Sequence, residues 1–256
     1  MEFYSINLPD QNLLLLTILV ISVGGILRGF MGFGPALLTI PILAFIYSPI
    51  EALVIHIIME IPSTLFLMPN ALKHSQKNDM FPMFIAMAIT IPLGMYLVVL
   101  LDPQIIRRTI SIIVLLLIGM LSYGWSFKQK IGLKTMIASG SIGGLVQGVA
   151  GMGGPPIVTI LLARGDNSDI SRSNILLLMA GIVFFSIASQ LYYKLMTIEL
   201  VIIGFLASPI YILTTFTGSK FYNSKGKRVF KRIALLLLAL IAISTFIASF
   251  NKINIL

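Results

Sequence analysis

The sequence predicts an all-α polytopic membrane protein built from two homologous halves, and three observations lead to that fold class. Hydrophobic residues make up 57% of the 256 positions, charged residues only 11%, and the mean hydropathy is +1.00. A soluble domain carries about 25% charged residues. Several apolar runs exceed the ~20 residues that cross a bilayer core as a helix. A glycine pattern near the N-terminus recurs in the middle of the chain, which indicates an internal duplication.

The duplicated pattern occupies residues 24–41 and 142–160. When the second copy is moved back by 119 positions, five glycines of each copy coincide, and proline follows in both. The matched glycines are Gly24, Gly25, Gly29, Gly32 and Gly34 with Gly143, Gly144, Gly148, Gly151 and Gly153. The irregular spacing argues against a low-complexity tract. We therefore predict two transmembrane repeats, residues 1–127 and 135–256, joined by a basic linker at 128–134.

About eight crossings are expected, four in each half, and each half begins with a broken run. The apolar run from 13 to 48 would measure about 54 Å as one helix at 1.5 Å per residue, too long for a ~30 Å core. Breaks are therefore predicted at 32–35 and, in the second run (135–163), at 151–155. The other spans are expected near 50–69, 80–101, 105–125, 175–193, 198–215 and 229–250. A secretory signal peptide would require basic residues before its apolar segment. No basic residue precedes the first apolar run of this chain, so we expect that run to be retained.

The net charge of +9 falls mainly in the connections between apolar runs. There it orients the protein and meets lipid headgroups, so nucleic acid is not expected as a partner. The absence of cysteine excludes disulfides and thiolate metal sites, and no metal or cofactor is predicted. An eight-span count places seven basic residues on one side and ten on the other, which favours both termini outside. A re-entrant hairpin at either break would change this parity, and parallel and inverted repeats both remain open.

The two glycine–proline breaks are the predicted substrate site. Unwound backbone survives at membrane depth only where it is buried in protein or lines a wet cavity, and a fresh helix N-terminus can bind an anion. The residues assigned to this site are Gly32, Gly34 and Pro35 in the first break, and Gly151, Gly153, Gly154 and Pro155 in the second. The alternative is that glycines allow close helix packing, above all Gly24, Gly25, Gly143 and Gly144.

Polar residues inside the spans supply the remaining candidates. Arg28, one turn before the first break, is predicted to bind an anion or to pair with Glu51 or Glu60, and its aligned partner Gln147 is predicted as a second substrate contact. His56 and Glu60 share one helix face and are candidates for proton coupling. Glu51 follows Ser-Pro and is expected to be a first-turn carboxylate. For Asn174 and Gln190, interhelical hydrogen bonds are expected, and for Arg164 and Arg172, solvated loop positions.

The motifs GFMGFGPALLTIPIL and GVAGMGGPPIVTILLAR resemble the paired signatures of the TauE/SafE sulfite exporter family. The resemblance covers essentially the whole chain, although the first motif has Pro35-Ala36 after Gly34 where members commonly carry more glycine. It implies an inner-membrane carrier of small sulfur-containing anions such as sulfite or sulfonates. The His56–Glu60 pair, not the resemblance, makes a proton the candidate coupling ion. The oligomeric state stays open, and a homodimer is one option.

Two other functions are compatible with parts of the sequence. An anion channel could use the same helix N-termini and would conduct faster than a carrier. An intramembrane enzyme would need a nucleophile, and Ser139-Gly140-Ser141 is the only superficial candidate. Small serines in membrane helices usually serve packing, so we do not expect an enzyme.

Overall fold

The computed structural model describes residues 11–31, 34–123 and 131–221, and these residues form nine helices without a strand. The helices are α1 (Gln11–Met31), α2 (Ala36–Ile46), α3 (Pro49–His74), α4 (Lys77–Leu100), α5 (Pro103–Tyr123), α6 (Leu133–Ala150), α7 (Gly154–Ala163), α8 (Ser168–Tyr192) and α9 (Ile198–Phe221). The all-α class is confirmed for these ranges. Gly32, the predicted span at 229–250 and the linker residues Lys128 and Lys130 lie outside them.

Four of the described helices are long and apolar enough to cross a membrane. Their apolar segments are Pro49–Pro69, Lys77–Leu100, Asp169–Tyr192 and Ile198–Lys220. They match the predicted spans near 50–69, 80–101, 175–193 and 198–215. Helices α2 and α7 have only 11 and 10 residues, and at 1.5 Å per residue each reaches about half of the ~30 Å core.

Both breaks reverse the direction of the chain. In the first half, Gly24 of α1 packs against Thr39 of α2, and the Tyr47 side chain lies close to Thr17 near the start of α1. In the second half, Arg164 Nη1 lies 3.9 Å from Met136 Sδ. Contacts between early α1 and the end of α2, and between early α6 and the end of α7, require antiparallel pairs. Each broken run is therefore a hairpin whose second arm is a half-length helix.

The helices after these hairpins run alternately between two ends of the bundle. The 76 end holds the α3–α4 connection (75–76) and the α7–α8 connection (164–167), which are joined by a hydrogen bond from Arg164 Nη2 to Gln76 Oε1 at 3.2 Å. The 102 end holds the α2–α3, α4–α5 and α8–α9 connections. There Arg107 donates from Nε to Ala44 O at 3.0 Å and from Nη2 to Tyr47 O at 3.2 Å.

Glycines let two pairs of helices approach closely. A methyl group on Gly148 of α6 would stand 2.7 Å from the Gly94 Cα of α4, and one on Gly29 of α1 would stand 2.7 Å from the Ser219 nitrogen of α9. Small residues have this role in membrane helix packing because they bring backbones together. Close packing is thus the observed role of the glycines within α1 and α6.

Candidate functional site

The first break places a buried arginine against a neighbouring helix. Arg28 lies in the last turn of α1 and is 2% exposed. Gly34, with a φ of +90°, leads into α2, whose N-cap is Pro35. A residue with a side chain rarely adopts this left-handed φ, so glycine at 34 allows α2 to turn back beside α1. The turn holds the end of α1, and with it Arg28, in the protein interior.

Glu60 of α3 is the centre of the contacts around Arg28. Its Oε1 lies 3.9 Å from Arg28 Nε and 3.7 Å from His56 Nε2. The same oxygen accepts a hydrogen bond from the Tyr211 hydroxyl of α9 at 3.0 Å. We call these residues, together with two threonines, the Arg28 cluster: Arg28, Thr39, His56, Glu60, Thr64 and Tyr211. Side chains from four helices thus form one cluster, and those of α1, α3 and α9 face its carboxylate.

The hydroxyl of Thr39 links α2 to the histidine of this cluster. Its Oγ1 is 2.9 Å from His56 Nδ1 and 3.1 Å from the Pro35 carbonyl oxygen. A hydroxyl has one hydrogen, so it donates to one of these two atoms at a time. If it donates to Nδ1, a neutral ring carries its hydrogen on Nε2, facing the Glu60 carboxylate. If it donates to Pro35, the ring donates from Nδ1, and an added proton fits between Nε2 and Glu60. The same contacts therefore suit the cluster with and without an extra proton.

Three members of the cluster were missed from the sequence. Thr39 follows the first break directly, whereas Thr64 and Tyr211 lie on α3 and α9. Thr64 Oγ1 is 3.5 Å from Arg28 Nη2. The contact between Glu60 and Tyr211 joins positions 151 residues apart. No local sequence pattern could pair Glu60 with Tyr211. The one signal in the sequence was the presence of a hydroxyl side chain within an otherwise apolar span.

The second break is fixed by Gln147 instead of a charged residue. Gln147 Oε1 accepts from the Gly153 backbone N–H at 3.0 Å, and Nε2 donates to Ser186 Oγ of α8 at 3.2 Å. Gly151 ends α6 with a φ of +66° and packs against Ile40 of α2 and Leu53 of α3. The second break therefore touches the first half of the chain.

The start of α7 offers few hydrogen-bond donors. Gly153 is its N-cap, so its first three helical positions are Gly154, Pro155 and Pro156. Proline has no amide hydrogen, so among these three only Gly154 carries an N–H. At the start of α2, Leu37 and Leu38 already donate to the carbonyl oxygens of Gly34 and Pro35. The Arg28 guanidinium therefore brings more hydrogen-bond donors, and a full positive charge, to the candidate site than the start of α7 does.

Other predicted polar residues have structural contacts. Glu51 forms a capping box with Ser48 at the start of α3, as expected of a first-turn carboxylate. Gln190 Nε2 donates to Leu53 O at 3.2 Å, the predicted interhelical bond. Arg164 was expected at a solvated loop position, but it forms ion pairs with Asp79 at 2.7 Å and Asp166 at 3.0 Å. Ser139 Oγ donates to Pro156 O at 3.0 Å and so ties α6 to α7.

Comparison with known protein families gives an assignment that agrees with the two motifs. The family model described as Sulfite exporter TauE/SafE matches residues 17–245. The chain belongs to the TauE/SafE sulfite exporter family. The match spans both hairpins and every described helix of the bundle, at least in part. No curated protein and no solved structure gave a match. Membership of this transporter family, together with the four long apolar helices, makes the chain a multi-pass membrane protein of transport function.

Proposed function

We propose that this TauE/SafE family member is a secondary transporter of small sulfur-containing anions in the inner membrane, with sulfite and sulfonates as the candidate substrates. The observation that carries the proposal is the buried Arg28 guanidinium, held at the end of α1 beside the first break. An arginine within the membrane is costly and usually faces a substrate path or a partner. Its planar fork of donors suits the oxygens of an oxyanion.

We infer that substrate binds between the two breaks. Arg28, Gly34 and Pro35 would contribute from the first hairpin, together with Gly32. Gln147, Gly151, Gly153, Gly154 and Pro155 would contribute from the second. The packing of Gly151 against Ile40, one turn into α2, supports this placement because it brings the second break close to the first hairpin. His56 and Glu60 are the proposed proton-coupling residues.

The helix directions support inverted repeats. The 119-residue offset pairs α1 with α6, α2 with α7, α3 with α8 and α4 with α9. In each pair the two helices run in opposite senses between the 76 end and the 102 end. Moreover, α1 packs along α9 and α6 packs along α4, so the first helix of each half contacts the fourth helix of the other. We therefore propose that the halves are related by an axis in the membrane plane, as in many secondary transporters.

Transport of radiolabelled sulfite and of a sulfonate into proteoliposomes, with and without a pH gradient, tests this function. We expect saturable uptake that the gradient accelerates, and loss of uptake in Arg28→Ala. Arg108→Ala, which removes an exposed arginine of α5, is the matched control and should transport as wild type does. If neither anion moves, the proposed function is wrong. Conduction at channel rates in planar bilayers would instead identify an anion channel.

A further inference from the structure

We propose that the Glu60 carboxylate and the transported anion compete for the Arg28 guanidinium, so that one proton enters the Arg28 cluster with each anion. This inference rests on the proposed transport function and specifies how the candidate site is loaded. It assigns Glu60 the place of an internal anion that occupies the site when substrate is absent.

Charge balance is the first reason. Arg28 and Glu60 are 2% and 6% exposed, and their opposite charges cancel within the cluster. Removing one partner of a buried ion pair is strongly unfavourable, because the other charge is left uncompensated. An anion that displaced an ionised Glu60 would create this situation. If Glu60 takes up a proton as the anion binds, the cluster is neutral both when empty and when loaded.

The geometry of the pair is the second reason. The distance of 3.9 Å between Arg28 Nε and Glu60 Oε1 exceeds the roughly 2.7–2.9 Å of a charge-assisted hydrogen bond. The carboxylate thus balances the charge of the guanidinium at this contact without a short bond from Nε. An incoming oxyanion that forms such a bond gains contact energy which Glu60 does not have in this arrangement.

A place for the proton is the third reason. In the described part of the chain, Glu60 Oε1 is faced by Arg28 from α1, by His56 from its own helix and by Tyr211 from α9. Thr39 of α2 can accept a hydrogen from His56 Nδ1 while it donates to Pro35. His56 Nε2, 3.7 Å from Glu60 Oε1, is then the acceptor that a protonated Glu60 faces, and an approach of about 0.5 Å would bring the two atoms within hydrogen-bond distance. The proton then lies between Glu60 and His56, and Glu60 no longer presents a negative charge to the guanidinium.

Binding of methanesulfonate to purified protein, measured by calorimetry from pH 5 to pH 8, tests the competition. Methanesulfonate remains a monoanion over this range, because sulfonic acids are strong acids, so any pH dependence belongs to the protein. For wild type we expect the affinity to fall by about tenfold per pH unit once Glu60 has lost its proton, as linkage to one proton requires. Glu60→Gln should bind with one affinity at every pH. Glu51→Gln, which changes the capping carboxylate of the same helix, should behave as wild type does.

Proton uptake gives a second measurement that needs no variant. The measurement is made in weakly buffered solution, at a pH above the midpoint at which Glu60 of the empty protein loses its proton. Wild type should then take up about one proton per methanesulfonate bound, since binding and protonation are linked. Binding by wild type without pH dependence or proton uptake would overturn the competition and leave the transport function standing. The competition is also wrong if folded Glu60→Gln keeps the wild-type pH dependence or does not bind. If wild type binds neither methanesulfonate nor sulfite, the proposed function fails together with it.

Discussion

The side-chain oxygen of Gln147 accepts a hydrogen bond from the backbone N–H of Gly153 at 3.0 Å. This bond joins the last turn of α6 to the residue that caps α7, and so closes the second hairpin. The amide nitrogen of the same side chain donates to Ser186 on α8. One residue therefore fixes both the turn and its position against the bundle. The aligned position in the first half is Arg28, whose side chain contacts α3.

Gln147→Ala should destabilise the protein because it leaves the buried Gly153 N–H without its acceptor. An unsatisfied buried donor costs about 1–3 kcal/mol, so we expect a lower melting temperature in detergent. Ser186→Ala is the comparison variant, because it leaves the Gln147 Nε2 donor without its acceptor but keeps the bond to Gly153. A melting temperature of Gln147→Ala equal to that of wild type would show that Gln147 does not hold the turn.

Gly148→Ala should weaken the packing of α6 on α4. A methyl group there would lie 2.7 Å from both the Gly94 Cα and the Met95 nitrogen, so the helices must move apart. Overpacking of this kind costs about 1–3 kcal/mol, and a loss of thermal stability of this order is expected by light-scattering or fluorescence melts. Gly119→Ala of α5 meets no atom within 4 Å and should be neutral or stabilising. A stable Gly148→Ala would contradict the close contact.

Tyr211→Phe should lower stability by removing the hydrogen bond to Glu60 while keeping the ring. Hydrogen bonds to charged groups are worth about 1.5–3 kcal/mol, and those between neutral groups about 0.5–1.5 kcal/mol. Tyr193→Phe is the control, because its hydroxyl donates to the neutral Pro92 carbonyl at 3.3 Å. The free energy of unfolding should fall more for Tyr211→Phe, and the reverse order would argue against an ionised Glu60 in the empty cluster.

Hydropathy and the duplicated glycines predicted the helical class, four of the long spans and both breaks. These features are local, since each depends on composition or on a run of neighbouring residues. The same is true of Glu51, whose Ser-Pro context indicated a capping residue. The pairing of His56 with Glu60 followed from their spacing on one helix, and their measured separation agrees with it.

The course of the chain after each break could not be predicted. Gly34 and Gly151 permit a left-handed turn, but a glycine–proline break suits two helices that continue in one direction as well as a reversal. The reversal depends on tertiary contacts, such as Thr17 with Tyr47 and Met136 with Arg164. The partnership of Tyr211 with Glu60 is long-range for the same reason. Sequence therefore predicted the residues of the first break but not which helices would complete its site.

The hairpins also change which connections share a side of the membrane. Each hairpin returns the chain to the end from which it came, whereas the eight-span count treats each broken run as one crossing. The basic residues are therefore divided between the two ends differently from that count. Among the described residues, the 76 end carries Lys73, Lys77, Lys134, Arg164, Arg172 and Lys220. The 102 end carries Arg107, Arg108 and Lys194. Since cytoplasmic connections are enriched in lysine and arginine, we expect the 76 end to face the cytoplasm.

Single cysteines can test this orientation directly, because the chain contains none of its own. Asn78→Cys places a thiol at the 76 end and Gln104→Cys places one at the 102 end, and both positions are exposed and uncharged. A membrane-impermeant maleimide added to intact cells, or to spheroplasts if an outer membrane is present, should label Gln104→Cys at once and Asn78→Cys only after permeabilisation. The opposite result would reverse the orientation. Labelling of both thiols from the same side would contradict the crossing of α4, and with it the inverted repeats, because α4 is the helix that separates the two positions.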